Sequence, residues 1–377
     1  LTFGTRIVDF KTPHPVTGTA HSVITTGYSE ADEEIAGYPD ATFYDAARKN
    51  GFVNLAIMEK GDFSNLREEQ DIILFAQNNS IDEPVLSIKA KNPPAGVEKL
   101  MHEWEMKLPD YLNNKSGVEK YSAYNKWGID AAESVLTFMI KNYPSQKFFL
   151  TINIGAIDSG GHNLGYDGYI RLIEDLDKDI SSLYQTASSE NIAFFFTSDH
   201  GMSFANENAR RGGHASDKYA SREESVRIPL SISSTNTVNA EITEEYGQAD
   251  LASTILSVLD LPDDLQYADG RQMPVKIYAS LFIKADREQK ISLWNGDQKV
   301  SEQSASDLIL AGLTLNNNYT LKAESLGRSF EKRISLDSDK RFILNDAETG
   351  MSAKEVFAMI LILLVNIAGL LYIRRIR

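Results

Sequence analysis

Six histidines occur in the 377 residues, at positions 14, 21, 102, 162, 200 and 214. Three of them stand beside acidic residues or glycines where apolar runs end. The first element, Asp158-Ser159-Gly160-Gly161-His162, follows the run KFFLTINI. The second, Ser198-Asp199-His200-Gly201-Met202, follows IAFFFT, and the third, Gly212-Gly213-His214-Ala215, lies in a loop fourteen residues further on. Carboxylates and imidazoles are oxygen and nitrogen ligands suited to zinc or manganese. One Asp-x-x-x-His is weak evidence for a metal; three such elements, in order and at strand ends, are strong evidence. The chain has no cysteine, so disulfides, thiolate metal sites and cysteine nucleophiles are excluded. Upstream, Pro15-Val16-Thr17-Gly18-Thr19-Ala20-His21 is a hydroxyl-rich turn entering a helix-like run, and a helix N-terminus is a ready anion site. A hydroxyl held on a divalent cation loses its proton more easily and becomes a nucleophile. Standing alone, the stretch would read as an ordinary threonine-rich turn.

Something must bring these residues together. Residues 1–265 alternate short apolar runs with helical patterns, the rhythm of an α/β domain with a doubly wound, mostly parallel sheet. Strands are expected at Phe52–Met58, Lys147–Ile154, Ile192–Thr197 and Val226–Ile232. Helices are expected at Tyr166–Tyr184, where Ile170, Ile173, Leu176, Ile180 and Leu183 recur at intervals of three and four, and at Glu119–Asn142 and Asp250–Leu259. The three histidine elements then fall at the carboxyl ends of strands, where ligands gather in such sheets. Residues 60–125, rich in Asn, Lys and Pro, read as a cap that sets substrate choice. Residues 1–283 are taken as this domain and 284–347 as a small β module of alternating polar and apolar strands.

The composition is that of a folded protein, 42% hydrophobic and 24% charged, and the length suggests about two domains. A net charge of −15, with no basic run, argues against nucleic acid as a partner. Residues 348–355 read as a stalk. From Val356 to Ile373 runs an uncharged apolar stretch just long enough to cross a bilayer. Arg374, Arg375 and Arg377 follow it. The positive-inside rule keeps this 374–377 tail in the cytoplasm and places the bulk of the chain outside, as a single-pass protein of the cell membrane with the lipid bilayer as a partner. Sequons at Asn78, Asn114 and Asn318 are usable in that location. An exported protein needs a leader, and none is visible in LTFGTRIVDF, so a further N-terminal segment is expected.

The Ser-Asp-His-Gly-Met element and its partners resemble the alkaline phosphatase superfamily, closest to its phosphodiesterase/nucleotide pyrophosphatase-like and sulfatase-like branches, over roughly residues 5–265. The resemblance implies two divalent cations, zinc or alternatively manganese. Asp158, His162 and His214 match the ligands of one; Asp199 and His200 match those of the other, together with the nucleophile. The family spacing of nucleophile, His and Thr-Gly pair selects Thr17 (Thr17, His21, Thr26-Gly27), with Thr19 as the fallback. Sulfatases of this family use a formylglycine made from Cys or Ser, which a Thr cannot supply. A phosphate ester is therefore the implied substrate, and the implied enzyme is a metal-dependent phosphoric ester hydrolase of phosphodiesterase or phosphatase type. Arg210 and Arg211, next to His214, are candidates for bidentate contact with a substrate phosphate.

The match departs from the family at one point. The pattern includes a further ligand, an Asp closing a first strand some tens of residues ahead of the nucleophile. Asp9 lies eight residues before Thr17, in what reads as a second strand (TRIVDF), and is not taken as that ligand. Two expectations follow. Either an N-terminal fragment completes the fold and the site, or the chain is an inactive surface or binding protein on the same fold. A phosphotransferase acting on lipid or glycan head groups and a homo-oligomer stay open as alternatives.

Overall fold

The computed structural model describes residues 4–60, 64–263, 265–325 and 328–344. The expected stalk, membrane helix and cytoplasmic tail lie outside the described residues; among those described, no helix is long and apolar enough to cross a membrane. The chain divides into two compact units between Lys276 and Ile277.

The first unit opens with β1 (Thr5–Lys11), α1 (Thr17–Thr26), the short α2 (Glu33–Ala36) and α3 (Phe43–Lys49). β2 (Val53–Met58), α4 (Ser64–Glu68), β3 (Ile72–Ala76) and β4 (Leu86–Ala90) come next, then two longer helices, α5 (Val97–Leu112) and α6 (Gly117–Asn142). β5 (Phe148–Asn153) leads through α7 (Ala156–Asn163) and α8 (Gly165–Ser189) to β6 (Phe194–Thr197). α9 (Glu223–Val226), β7 (Leu230–Ser233), β8 (Glu241–Gly247) and α10 (Ala249–Val258) follow. Local chemistry sets several ends. Thr42 and Asp45 form a reciprocal capping box that starts α3, and Gly27, at φ 70°, closes α1 in the left-handed region open to glycine.

The strands form two four-stranded sheets, ordered β4-β3-β2-β5 and β6-β7-β1-β8. The pairings β2–β3, β2–β5 and β1–β8 are parallel, while β3–β4, β6–β7 and β1–β7 are antiparallel. This corrects the expected single, mostly parallel sheet. The connection from Ala76 to Leu86 is too short for the dozen or more residues a parallel crossover needs, so β4 turns back on β3. The chain between β6 and β7 builds the site loop instead of a long crossover helix, and β7 runs antiparallel as well.

Side chains alternate faces at the strand period of two. Leu55 and Ile57 of β2 with Ile72 and Leu74 of β3 meet α5 and α6 through Trp104, Trp127 and Val135. Ala56, Met58, Ile73 and Phe75 turn to the opposite cluster, with Phe43, Tyr44, Leu251 and Ile255 of α3 and α10. Residues 60–125 are thus no cap: β3 is fully buried, and α5 sits on its sheet. The expected strand at Val226–Ile232 also needs correction. Glu223–Val226 is a helical turn and the strand starts at Leu230, because Pro229 removes a backbone donor just ahead of it.

The second unit is a five-stranded sheet: β9 (Ala279–Asn295), β10 (Gln298–Leu313), β11 (Asn317–Ser325), β12 (Arg328–Leu336) and β13 (Lys340–Leu344). Its order is β10-β9-β11-β12, antiparallel throughout, with β13 adding to β9 in parallel. The sequence boundary at 283/284 cuts through β9. Ala279–Ile283 is a continuous buried run that reads like main-domain core, and its pairing with Leu308–Leu313 assigns it to this module.

Candidate active site

Two strand ends carry most of the site. β5 runs out through Gly155 into α7, and the i, i+4 spacing puts Asp158 and His162 on one face of that helix. β6 runs out directly into Ser198-Asp199-His200. The first turn packs on the second through Gly161, where a Cβ would stand 2.7 Å from the Met202 side chain, and Gly201 lies against α9, where a Cβ would stand 2.0 Å from the Glu224 carbonyl oxygen and glycine is needed. The Asp199–His200 loop is further tied by Gln248, which is fully buried and donates from Nε2 to the carbonyls of Ser198 and Asp199 at 3.1 and 2.5 Å.

Three imidazoles are oriented in the same way. His162 Nδ1 lies 3.1 Å from the Gly212 carbonyl, His200 Nδ1 lies 3.0 Å from that of Gly201, and His214 Nδ1 lies 2.7 Å from that of Pro15. A carbonyl only accepts, so each Nδ1 is the donor and each neutral ring presents a lone pair at Nε2. These Nε2 atoms converge. Those of His162 and His214 are 3.2 Å apart, and each is 3.3 Å from Asp158 Oδ1, a buried oxygen with no hydrogen bond of its own. Their ligating atoms all lie within 4.8 Å of one another. The His200 Nε2 lies 3.2 Å from the Thr17 hydroxyl and 3.2 Å from Asp199 Oδ2. The two clusters adjoin through the stacked rings of His200 and His214, whose centroids are 3.6 Å apart. Backbone-pinned Nδ1 atoms with inward Nε2 atoms, and an orphaned buried carboxylate oxygen between two of them, are what a dication site requires. The donor set fits a divalent metal.

Electrostatics agree with that fit. Burial alone would raise the Asp158 carboxyl, but polar contacts with His162 and His214 and the charge of Lys60 outweigh it and hold it far below the usual carboxylate range. Contact with Asp158 raises His162. Burial lowers His200 against the pull of Asp199, favouring the neutral ring.

The structure thus brings Thr17, Asp158, His162, Asp199, His200 and His214 into one place. Thr17 is the first residue of α1, whereas Thr19 makes no hydrogen bond to this cluster. His21 sits one turn along, its Nδ1 2.9 Å from the Thr17 carbonyl and 3.7 Å from Asp199 Oδ2. Asp9 faces Lys11 and Arg227 instead. Arg210 and Arg211 are exposed on the loop, and the cation seated on the cluster is Lys60, its Nζ 2.5 Å from Asp158 Oδ2. Sequence reasoning missed Lys60 and its neighbour Glu59, which is buried and accepts from the backbone N–H groups of Gly155 and Ala156 at 2.9 and 3.3 Å, at the start of α7. Burial pushes the Glu59 carboxyl up to about 8, against the pull of those two donors. The signal was present: a Glu-Lys pair directly after the apolar strand Phe52–Met58.

Residues 142–261 match the sulfatase family model, a segment that contains Asp158, His162, Asp199, His200 and His214. The crystal structure of the alkaline phosphatase PafA superposes with a TM-score of 0.53 at 12% identity, covering 72% of this chain and 92% of that one. The chain shares the fold of this alkaline phosphatase. In sequence the chain is similar to a 2,3-bisphosphoglycerate-independent phosphoglycerate mutase of Mycoplasmoides gallisepticum, 29% identical over 133 residues. The match takes in 35% of this chain and 24% of the mutase, so the chain spans about a quarter of that relative's length. A phosphonate monoester hydrolase from Silicibacter pomeroyi aligns over 89% of this chain and 82% of its own, at 12% identity and a TM-score of 0.41.

Proposed function

We propose that this chain is a member of the alkaline phosphatase superfamily and an extracytoplasmic, membrane-anchored phosphoester hydrolase that works with two divalent cations, zinc or alternatively manganese, and uses Thr17 as its nucleophile. The observation that carries the reading is the convergence of three pinned imidazoles and two carboxylates beside a threonine hydroxyl. Asp158, His162 and His214 would hold one cation; Asp199 and His200, with Thr17, the other. Such a pair supplies Lewis-acid stabilisation of the attacking and leaving oxygens of an in-line displacement.

The rest is chemistry of the chain. The His200 Nε2 accepts from the Thr17 hydroxyl and sets its direction. Thr17 Oγ1 gives its proton to solvent and bonds to phosphorus as the P–O ester bond breaks and the alcohol leaves with a proton from solvent, giving a phosphothreonine. Water then attacks phosphorus, the Oγ1–P bond breaks, Thr17 regains a proton, and phosphate or a phosphomonoester is released. No side chain caps the N-terminus of α1, so its first N–H groups stand available for equatorial phosphoryl oxygens. Lys60 adds a positive charge from the α7 side. The substitution of Thr for a formylglycine precursor favours phosphate over sulfate.

The test joins metal analysis to turnover. The protein is expected to hold two zinc or manganese ions per chain and to cleave bis-p-nitrophenyl or p-nitrophenyl phosphate in preference to p-nitrophenyl sulfate. Thr17→Ala should abolish turnover while retaining the metals. A metal-free protein with no turnover would instead favour the inactive binding-protein reading. Kinship with a phosphoglycerate mutase favours a second reading, transfer to an alcohol, which would show as phosphorylated glycerol when glycerol competes with water. The anchor is checked by extraction: the 1–377 chain should need detergent, and a chain ending at residue 353 should not.

A further inference from the structure

The second turn of α8 carries a tyrosine into the site. Tyr169 lines the cleft together with Asp158, Asp199 and His200. Its ring leans on Phe204, with centroids 5.6 Å apart and planes at 49°, and Phe204 in turn meets Tyr166 edge-on at 5.5 Å. Backbone fixes this buttress. The Phe204 carbonyl accepts from Arg222 Nη1 at 2.9 Å, and the neighbouring Ser203 exchanges N–H···O bonds of 3.0 and 2.9 Å with Gly213, the residue before His214. The start of α8 is tied to the same loop. The Tyr166 N–H donates to the Ala209 carbonyl at 3.2 Å, and a Cβ on Gly165 would stand 3.0 Å from that oxygen. Tyr169 is therefore held at a set position relative to the metal-type cluster.

Packing on Phe204 asks only for a ring, and phenylalanine would serve it as well. The hydroxyl is what needs a reason. Burial, with the negative charges of Asp158 and Asp199 added, pushes its pKa up to about 12, so it stays a protonated donor at physiological pH. A phenol O–H beside two carboxylates ordinarily donates to one of them. Here Asp158 Oδ2 takes Lys60 and Asp199 Oδ1 takes the His200 backbone N–H. Among the described residues Tyr169 makes no hydrogen bond to either, and each carboxylate acts on it through space alone. A donor fixed by packing, partly stripped of water and left without an acceptor, is preorganised for a group that arrives later.

We propose that Tyr169 is a substrate-binding residue whose hydroxyl donates a hydrogen bond to an oxygen of the phosphoryl group. The role rests on the proposed phosphoester chemistry and adds a contact to it. A charged acceptor fits this donor, because hydrogen bonds to ionised oxygens are shorter and stronger than neutral ones. The choice of a phenol has its own logic. A lysine or arginine at position 169 would pair with Asp158 or Asp199 and occupy an oxygen that a cation needs. A tyrosine stays neutral, leaves both carboxylates to the cations, and still offers one proton to the anion.

The test reads binding directly. The 1–377 chain carrying Thr17→Ala is loaded with zinc and titrated with inorganic phosphate by calorimetry, with and without Tyr169→Phe, a change that removes one oxygen and keeps the ring. Tyr169→Phe should hold the same zinc and melt no lower, yet bind phosphate about 10-fold or more weakly, the size of a hydrogen bond to a charged group. With Thr17 restored, kcat/KM on p-nitrophenyl phosphate should fall by a similar factor. Tyr166→Phe, which alters the other ring on Phe204, should leave phosphate affinity unchanged. Phosphate bound as tightly by Tyr169→Phe as by its parent overturns the contact and leaves the hydrolase reading standing. Loss of zinc in Tyr169→Phe overturns it too, since the phenol would then serve the carboxylates. A parent that takes up no zinc, or binds no phosphate once loaded, removes both the contact and the hydrolase reading.

Discussion

At the scale of single residues, the site rests on side chains fixed from behind by backbone. Asp158, His162, Asp199, His200 and His214 were legible in the sequence because each metal-type element is local and follows a recognisable strand. Lys60 and Glu59 were not, because their roles come from sheet adjacency: the pairing of Met58 with Asn153 sets the end of β2 beside the start of α7. Lys60→Ala removes a charge-assisted contact of about 1.5–3 kcal/mol. The expected result is a 10- to 100-fold loss of kcat/KM on phosphoesters with the protein still folded, checked by steady-state kinetics and circular dichroism. Glu59 gives a pH signature. Its folded value of about 8 lies above the ordinary carboxylate value, so the folded state holds a proton that the unfolded chain has lost. Its contribution is complete below the unfolded pKa and is lost as pH rises toward 8, at no more than about 1.4 kcal/mol per pH unit. Denaturant midpoints between pH 5 and 8 should therefore fall more steeply with pH in the wild type than in Glu59→Gln.

At the scale of elements, the strands and helices nearest the site were expected within a few residues of their bounds: β2, β5, β6, α6 and α10 all were. The error lay at 60–125, where the Asn, Lys and Pro of the connections hid a central strand. The run Ile72–Ala76 is apolar without alternation because both of its faces are covered, and such a short run cannot be told locally from a loop anchor. Its burial sets the test. Ile73→Ala should destabilise the protein by about 2–5 kcal/mol, as core truncations do, read by urea unfolding, whereas a residue in a cap would change substrate preference and leave stability alone. The site loop has its own weak point. Gly201→Ala drives a Cβ to 2.0 Å from the Glu224 carbonyl, a backbone atom that cannot swing aside. Loss of metal binding is expected, measured as ions retained after dialysis.

At the scale of the whole molecule, the presence of a β module after the α/β domain was readable from the change in residue pattern, but its border was not. Only long-range pairing reveals that Ala279–Ile283 belongs with Leu308–Leu313. The division of the main sheet between β5 and β6 left no trace in the sequence either, since both strands read as ordinary covered core.

The bare start of α1 has a last consequence. A helix whose opening turn lacks a capping side chain forgoes about 1 kcal/mol, and a tetrahedral oxyanion resting there would restore it. Vanadate or phosphate should then act as a fastener on the first unit: at a hundred times its Kd, a ligand bound only to the folded form adds about 2.7 kcal/mol. That is a rise of several degrees in melting temperature, visible by scanning fluorimetry in Thr17→Ala as well, where no turnover obscures it. The inactive variant would thereby report on what the cleft recognises apart from what it cleaves.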